Sequence, residues 1–310
     1  WPNYNAAISS DRQNWQRAPS SYDATAGNGT LAISITPDTD SVWLAYFAPY
    51  SMERHHDLVA RIGSAPGVTA DVLGHSIEGQ SIDRLRIGNG PLQIWLYGRQ
   101  HPGESMAEWW MEGALERLID PADPIARTLR ANATLNIVPN MNPDGTLRGH
   151  LRTNACGANL NREWAAPSPE RSPEVLHILA AMRETGVDFA MDVHGDEAIP
   201  HVFIAGFEGI LAITAPQLAL LQDYKARLQR LTPDFQTRIG YPAAGAGKAN
   251  LTMSTNAVAQ EFGCLAMTLE MPFKDNDDLP DAINGWSPDR CKAMGRDCLA
   301  ALAEILPTLR

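Results

Sequence analysis

The sequence predicts an α/β fold: a mostly parallel mixed sheet with helices on both faces, preceded by a segment of a few β-strands. Three observations carry this prediction. Residues 92–97, 133–138, 187–193 and 264–269 are continuous apolar runs of strand length, as strands buried on both faces require. Helix-period patterns follow several of them, and alternation of strand and helix points to a largely parallel sheet. Residues 1–50 have another texture, with short apolar runs at 31–35 and 42–47 separated by Gly, Asn, Pro and Asp turn material. The expected division is therefore 1–50 for the accessory β segment and 51–310 for the α/β domain.

Within the α/β part, 106–119 places apolar residues at helical spacing, with Ser105 where an N-cap belongs. Residues 216–231 and 289–305 read as two further amphipathic helices. Pro and Gly clusters at 139–149, 165–173 and 240–247 read as long loops, the kind that carry function in such folds.

A chain of 310 residues with 44% hydrophobic and 20% charged content is ordinary for a globular enzyme. No apolar stretch approaches the roughly 20 residues of a membrane span. A net charge of -11 argues against nucleic acid as partner, since phosphate binding needs a basic footprint. The four cysteines do not form a disulfide framework. Cys291 and Cys298 share a helix face but stand about 10 Å apart along it, beyond the Cα separation of about 7 Å that a disulfide tolerates. Free thiols fit a cytoplasmic location. The sequence opens on Trp1 without an initiator methionine, which leaves a signal peptide open.

The chemistry gathers at strand ends. The run 92–97 leads into Gly98-Arg99-Gln100-His101-Pro102-Gly103-Glu104, where His101 and Glu104 can reach one point across a Pro-Gly turn. Imidazole and carboxylate together suit Zn²⁺, which in catalytic sites takes three protein ligands and keeps a fourth position open. His194, in Asp192-Val193-His194-Gly195, supplies a third ligand from the end of another apolar strand. Ligands bind outside the carboxyl ends of strands in such sheets. One Zn²⁺ per chain is expected.

The ordered set His101-Pro102-Gly103-Glu104, Asn142-Pro143-Asp144-Gly145, Asn159-Leu160-Asn161-Arg162-Glu163-Trp164, His194-Gly195 and Thr268-Leu269-Glu270 resembles the M14 metallocarboxypeptidases, and within them the cytosolic carboxypeptidase subfamily. The resemblance runs from about residue 70 to the end, and residues 1–50 resemble the latter part of the β-sandwich domain that precedes the catalytic domain there. It implies a zinc carboxypeptidase-like fold and hydrolysis of the C-terminal residue of peptides or proteins. Glu270 would be the general base, and Arg152 would polarise the scissile carbonyl, with Arg148 its rival. Asn161 and Arg162 would clamp the substrate carboxylate, for which a guanidinium fork is suited.

Relatives that trim glutamate use basic groups in the specificity pocket. Lys248 is the best-placed basic residue for that role here, with Arg238 a second, which points to acidic ends as substrates. Tyr241 is the one candidate for a tyrosine closing over substrate. Glu197 and Glu261 are the alternatives to Glu270 as base. His55-His56 and Trp109-Trp110 receive no role. Two other readings stand beside the peptidase: a zinc-dependent N-acyl amino acid deacylase of the same fold, and a non-catalytic binding protein.

Overall fold

The computed structural model describes residues 1–25 and 27–309. The chain opens with five short strands: β1 (Ala6–Ser9), β2 (Gln16–Ala18), β3 (Ser20–Asp23), β4 (Thr30–Ile33) and β5 (Trp43–Ala45). They form two small antiparallel sheets, β2-β1-β5 and the hairpin β3-β4. Strands this short bury little by themselves, and the segment is tied to the body of the protein. The Arg17 guanidinium donates to the carbonyls of Phe273, Lys274 and Trp286 at 2.8, 2.9 and 3.0 Å. Tyr46 stacks on Phe273 at 4.3 Å.

From α1 (Met52–Gly63) the chain alternates. In order follow β6 (Val68–His75), β7 (Ser81–Ile87), β8 (Leu92–Gly98), α2 (Met106–Ile119), α3 (Pro124–Asn132), β9 (Ala133–Val138), α4 (Pro143–Arg148), α5 (Pro173–Thr185), β10 (Phe189–Asp196), β11 (Phe203–Ala205), α6 (Ala215–Leu231), α7 (Ser254–Phe262), β12 (Leu265–Pro272) and α8 (Pro288–Ile305). The seven-stranded sheet has the order β11-β12-β10-β8-β9-β7-β6. Its four central strands, β12, β10, β8 and β9, run parallel, and the outer strands join antiparallel. Every residue of β10 and β12 is buried, so both faces of the sheet centre are covered. Helix α8 packs along α2 and also holds α3 and α6, while α7 lies on β10 and β12.

The expected fold is the observed one, with local corrections. Strands β10 and β12 run past their apolar stretches, through His194 and Glu270. Parallel ladder bonds carry the backbone on, and the polar side chains find partners in the interior. The stretch 139–149 is not all loop. Asn142 caps α4 by accepting from Gly145 N, and Pro143 stands at N1, where its missing N–H costs nothing. Ser105 occupies the N-cap position of α2 but makes no capping bond; its hydroxyl donates to Ala48 O at 2.9 Å, fastening the accessory segment instead. Helices α1, α3, α5 and α7 were not legible in the sequence. All four cysteines are free, and no helix among the described residues is long and apolar enough to cross a membrane.

Candidate active site

Three parallel neighbours, β8, β10 and β12, end on the same edge of the sheet, and the candidate site is built there. The loop after β8 delivers His101 and Glu104, and β10 delivers His194. One ligand atom from each lies within 4.8 Å of the others, and all three residues are buried. Glu104 Oε1 is 2.6 Å from His101 Nδ1, Glu104 Oε2 is 2.8 Å from His194 Nδ1, and Gly195 N donates to that second oxygen at 3.0 Å. A Cβ on Gly195 would stand 2.3 Å from Met106 Sδ, so a larger residue there requires the buried Met106 side chain to shift.

The outer nitrogens of both rings are already engaged. His101 Nε2 lies 2.9 Å from Asn159 Oδ1, and His194 Nε2 lies 2.8 Å from Asp192 Oδ2. Oxygen acceptors at both Nε2 positions favour a proton there, so a metal that displaces the Nδ1 protons would meet the Nδ1 lone pairs. Two such nitrogens and a carboxylate are a zinc donor set. Burial alone would lower the His194 pKa, yet the Asp192 and Glu104 charges hold it well above the imidazole range. Burial opposes ionisation of Glu104, but His101 and His194 overcome it and keep its carboxyl below the usual range.

Beneath the ligands runs a buried polar network. Trp164 Nε1 donates to Gln100 Oε1 at 2.8 Å, and Gln100 Nε2 donates to Asp192 Oδ2 at 2.6 Å. The Ser254 hydroxyl donates to the same oxygen. Asn142 Nδ2 donates to Gln100 O, so the Asn-Pro-Asp-Gly turn braces the metal loop.

Sheet register sets Glu270 directly opposite His194. Its carboxylate is buried, Oε2 has no partner among the described residues, and the Tyr241 hydroxyl, which donates to Asp196 Oδ2 at 2.5 Å, lies 3.4 Å from Oε1. Burial first, then Glu104 and Asp196, push its pKa well above the usual carboxylate range, against the pull of His194. An unsatisfied buried oxygen costs about 1–3 kcal/mol, a cost that points to a missing ligand or reactant.

The remaining candidates divide. Arg152 is exposed, but its loop is stitched to the metal loop by Gly103 N donating to Leu151 O at 2.9 Å. A Cβ on Gly103 would meet that Leu151 backbone at 2.9 Å. Arg152 is close enough to Glu197 and Arg162 for its charge to be felt at both. The rival Arg148 is committed to Glu78 in an exposed ion pair.

Asn161 Oδ1 accepts from Ser254 N at 2.9 Å, which fixes the amide so that its NH₂ is the end left over. Arg162 is exposed, with one donor on its neighbour's carbonyl, Asn161 O. Partial burial and Arg152 both hold its pKa below the usual range, while Tyr241 opposes them, so these three side chains share one region. Arg238 is paired with Asp278 at 2.7 Å. Lys248 is exposed and shows no side-chain partner among the described residues. Of the alternative bases, Glu261 pairs with Arg183 on the outer side of α7, while Glu197 is half-buried within reach of the Glu104 charge. Residues 55, 109 and 110 are buried, as a core reading requires. Asn159, Asp192, Gln100 and Ser254 carried no signal in the sequence beyond their place in or beside the motifs.

A parallel-sheet edge carrying two histidines, a carboxylate ligand and a free buried carboxylate defines the class: a zinc-dependent hydrolase of the carboxypeptidase fold. The comparisons with known proteins make this specific. Residues 62–199 match the zinc carboxypeptidase family model, and residues 1–47 match the cytosolic carboxypeptidase N-terminal domain. A metallo-carboxypeptidase from Pseudomonas aeruginosa, solved in complex with (2-guanidinoethylmercapto)succinic acid, superposes with a TM-score of 0.96 at 46% identity, over 100% of this chain and 82% of that one. An uncharacterised protein of Zymomonas mobilis is 58% identical over 100% of this chain and 80% of its own length. Mouse cytosolic carboxypeptidase 4 is 31% identical over 66% of this chain, which spans only 21% of that protein. The chain belongs to the M14 zinc carboxypeptidase family and is a metallocarboxypeptidase.

Proposed function

We propose that the chain removes the C-terminal residue of peptides or proteins, with His101, Glu104 and His194 holding one Zn²⁺ and Glu270 acting as general base. The observation that carries this is the β10–β12 register, which sets an unpartnered buried carboxylate beside a metal-ligand histidine. Zinc bound there supplies Lewis acidity, lowering the pKa of water and polarising a carbonyl. Glu270 Oε2 is buried with no competing bond among the described residues, so it can take the proton of the attacking water and return it to the leaving amine. The desolvation that raises its pKa also makes its carboxylate a stronger base. Arg152 stabilises the oxyanion, a role worth about 3–4 kcal/mol for one well-placed donor. The Asn161 amide and the Arg162 fork receive the terminal carboxylate, and Tyr241 closes over the substrate from the side of Glu270.

Recognition of a free carboxylate distinguishes this reading from an endopeptidase and from an N-acyl amino acid deacylase. Peptides with free and amidated C-termini, and a set of N-acyl amino acids, should be incubated with the zinc-loaded chain and read by mass spectrometry. Free-acid peptides should lose one residue at a time, and amidated ones should react at least ten-fold more slowly. Equal rates on both would refute the clamp, and turnover of the acyl amino acids alone would favour the deacylase.

For the departing side chain we propose an acidic residue recognised by Lys248, since Arg238 is neutralised by Asp278 and Lys248 has no side-chain partner among the described residues. The guanidino group of the compound bound to the Pseudomonas relative favours a second reading, a basic side chain. Peptides ending in Glu, Leu and Lys decide between them.

A further inference from the structure

Behind the metal loop, on the side away from Glu270, lies a second buried assembly that the mechanism does not use. Arg99 stands two residues before His101 in left-handed backbone, φ 58, a conformation that costs a non-glycine residue about 1 kcal/mol. Its buried guanidinium turns back on its own loop. Nε and Nη2 donate to Pro102 O at 2.9 and 2.6 Å, and Nη1 donates to Glu108 Oε2 at 2.6 Å and to Tyr50 O at 3.2 Å. Pro102 lies between the two ligands His101 and Glu104, so this clasp holds the peptide whose geometry sets both.

Glu108, fully buried one turn beyond Glu104 on α2, is in turn held by His55 of α1. His55 Nδ1 lies 2.5 Å from Glu108 Oε1, and its Nε2 lies 3.2 Å from Asp83 Oδ2 on β7. The charges alternate along the row Asp83, His55, Glu108, Arg99. Each buried charge has an opposite neighbour on each side or ends on a backbone carbonyl. A buried ion row is a poor way to gain stability, because desolvation consumes most of the attraction. Its directional bonds instead fix one geometry, and that geometry is delivered to the metal loop.

We propose that Arg99, Glu108 and His55 are positioning residues of the metal centre: a buried ionic row, running from α1 through α2, that holds the His101–Glu104 turn in its metal-binding shape. It reaches the zinc only through the loop backbone, and none of the three is a ligand. A role confined to packing would lower fold stability and leave zinc affinity alone.

The test uses the full chain and reads zinc affinity by competition with a chromophoric chelator, beside thermal unfolding of the metal-free protein. Arg99→Lys keeps the charge but loses the two-pronged clasp on Pro102 O. It should lower zinc affinity by roughly 10–100-fold, the range for removal of an outer partner of a metal site. His55→Gln should lower it several-fold in the native background and have no further effect when Arg99 is already Lys. If a single variant does not fold, the pair Arg99→Met with Glu108→Gln, which strands no charge, gives the same reading: a ten-fold or greater loss supports the row. Unchanged zinc affinity in folded variants would overturn the proposal. So would a His55 effect that adds in full to that of Arg99→Lys, because the row would then not be the route.

Discussion

The floor and the rim of the site are built on opposite terms. On the floor, His101, Glu104 and His194 are buried, and each is held by at least two polar contacts, so their geometry is set before any ligand arrives. Of the residues proposed for the rim, Arg152, Arg162 and Lys248 are exposed, and among the described residues the only side-chain hydrogen bond any of the three makes is the one from Arg162 to a neighbouring carbonyl. Burial explains the contrast. A charge in the interior must be paired at a cost of several kcal/mol if it is not, whereas a surface guanidinium is satisfied by water until a substrate displaces it. A metal site gains from preorganisation, and a substrate clamp gains from being free to close.

If the contrast is right, substitutions on the floor should abolish function by losing the metal or the base, and those on the rim should alter affinity or selectivity. The largest effect belongs to His194→Ala, which should remove zinc and activity together; retention of full activity without metal would break the floor altogether. Next comes Glu270→Gln. It should leave zinc content and substrate affinity near normal and lower turnover by roughly 10²–10⁴-fold, the contribution of a positioned acid–base group. Loss of zinc in that variant would make Glu270 a structural part of the floor, and normal turnover would pass its role to Glu197.

A third test measures the pairing of the floor itself. Burial alone would depress the His55 pKa, but Glu108 and Asp83 raise it to about 9 from 6.5. A folded-state pKa above the unfolded value stabilises the fold fully below about pH 6.5, and that contribution disappears as pH rises through about 9. Its size is on the order of 3 kcal/mol. His194 titrates with the same sign in the metal-free chain, so native and His55→Gln proteins should be compared by denaturant unfolding at pH 6 and 9. The variant should lose less stability across that range, and identical losses would mean His55 is not held charged. The smallest effect should come from the rim. Lys248→Ala should reduce the preference for Glu over Leu ends by a few-fold and leave turnover of Leu ends unchanged, measured as the ratio of kcat/KM values. A drop on both substrates alike would show that Lys248 does not select the side chain.

Much of the floor was readable before the structure. His101, Glu104, His194 and Glu270 stand beside unbroken apolar runs, and a polar group at the mouth of a buried strand is a signal that composition can carry. Glu270 lies outside the 62–199 segment that matches the family model, so its place depends on the strand that bears it. The partners beneath were not readable. Asp192 sits within the apolar strand β10 and would be taken for a defect there, until Gln100, Ser254 and His194 are seen to converge on it. His55 is far from the motifs in sequence, and nothing local in the His55-His56 pair marks a role. The helices that went unread, α1 and α7 among them, are shorter than those that were read, and they are held by packing against the sheet.

By itself, the sequence determined the four central strands, the α/β class and the metal donor set, and the family resemblance added the candidate base, because local apolar periodicity and short-range motifs are properties of neighbouring residues. Tertiary structure alone decided that Glu270 lies across from His194, that Arg148 is spent on Glu78, and that His55 meets Glu108. Each of these depends on strand register or on contacts between residues dozens of positions apart. Nothing local encodes which distant group will be opposite when the sheet closes; the packing of the whole core selects it.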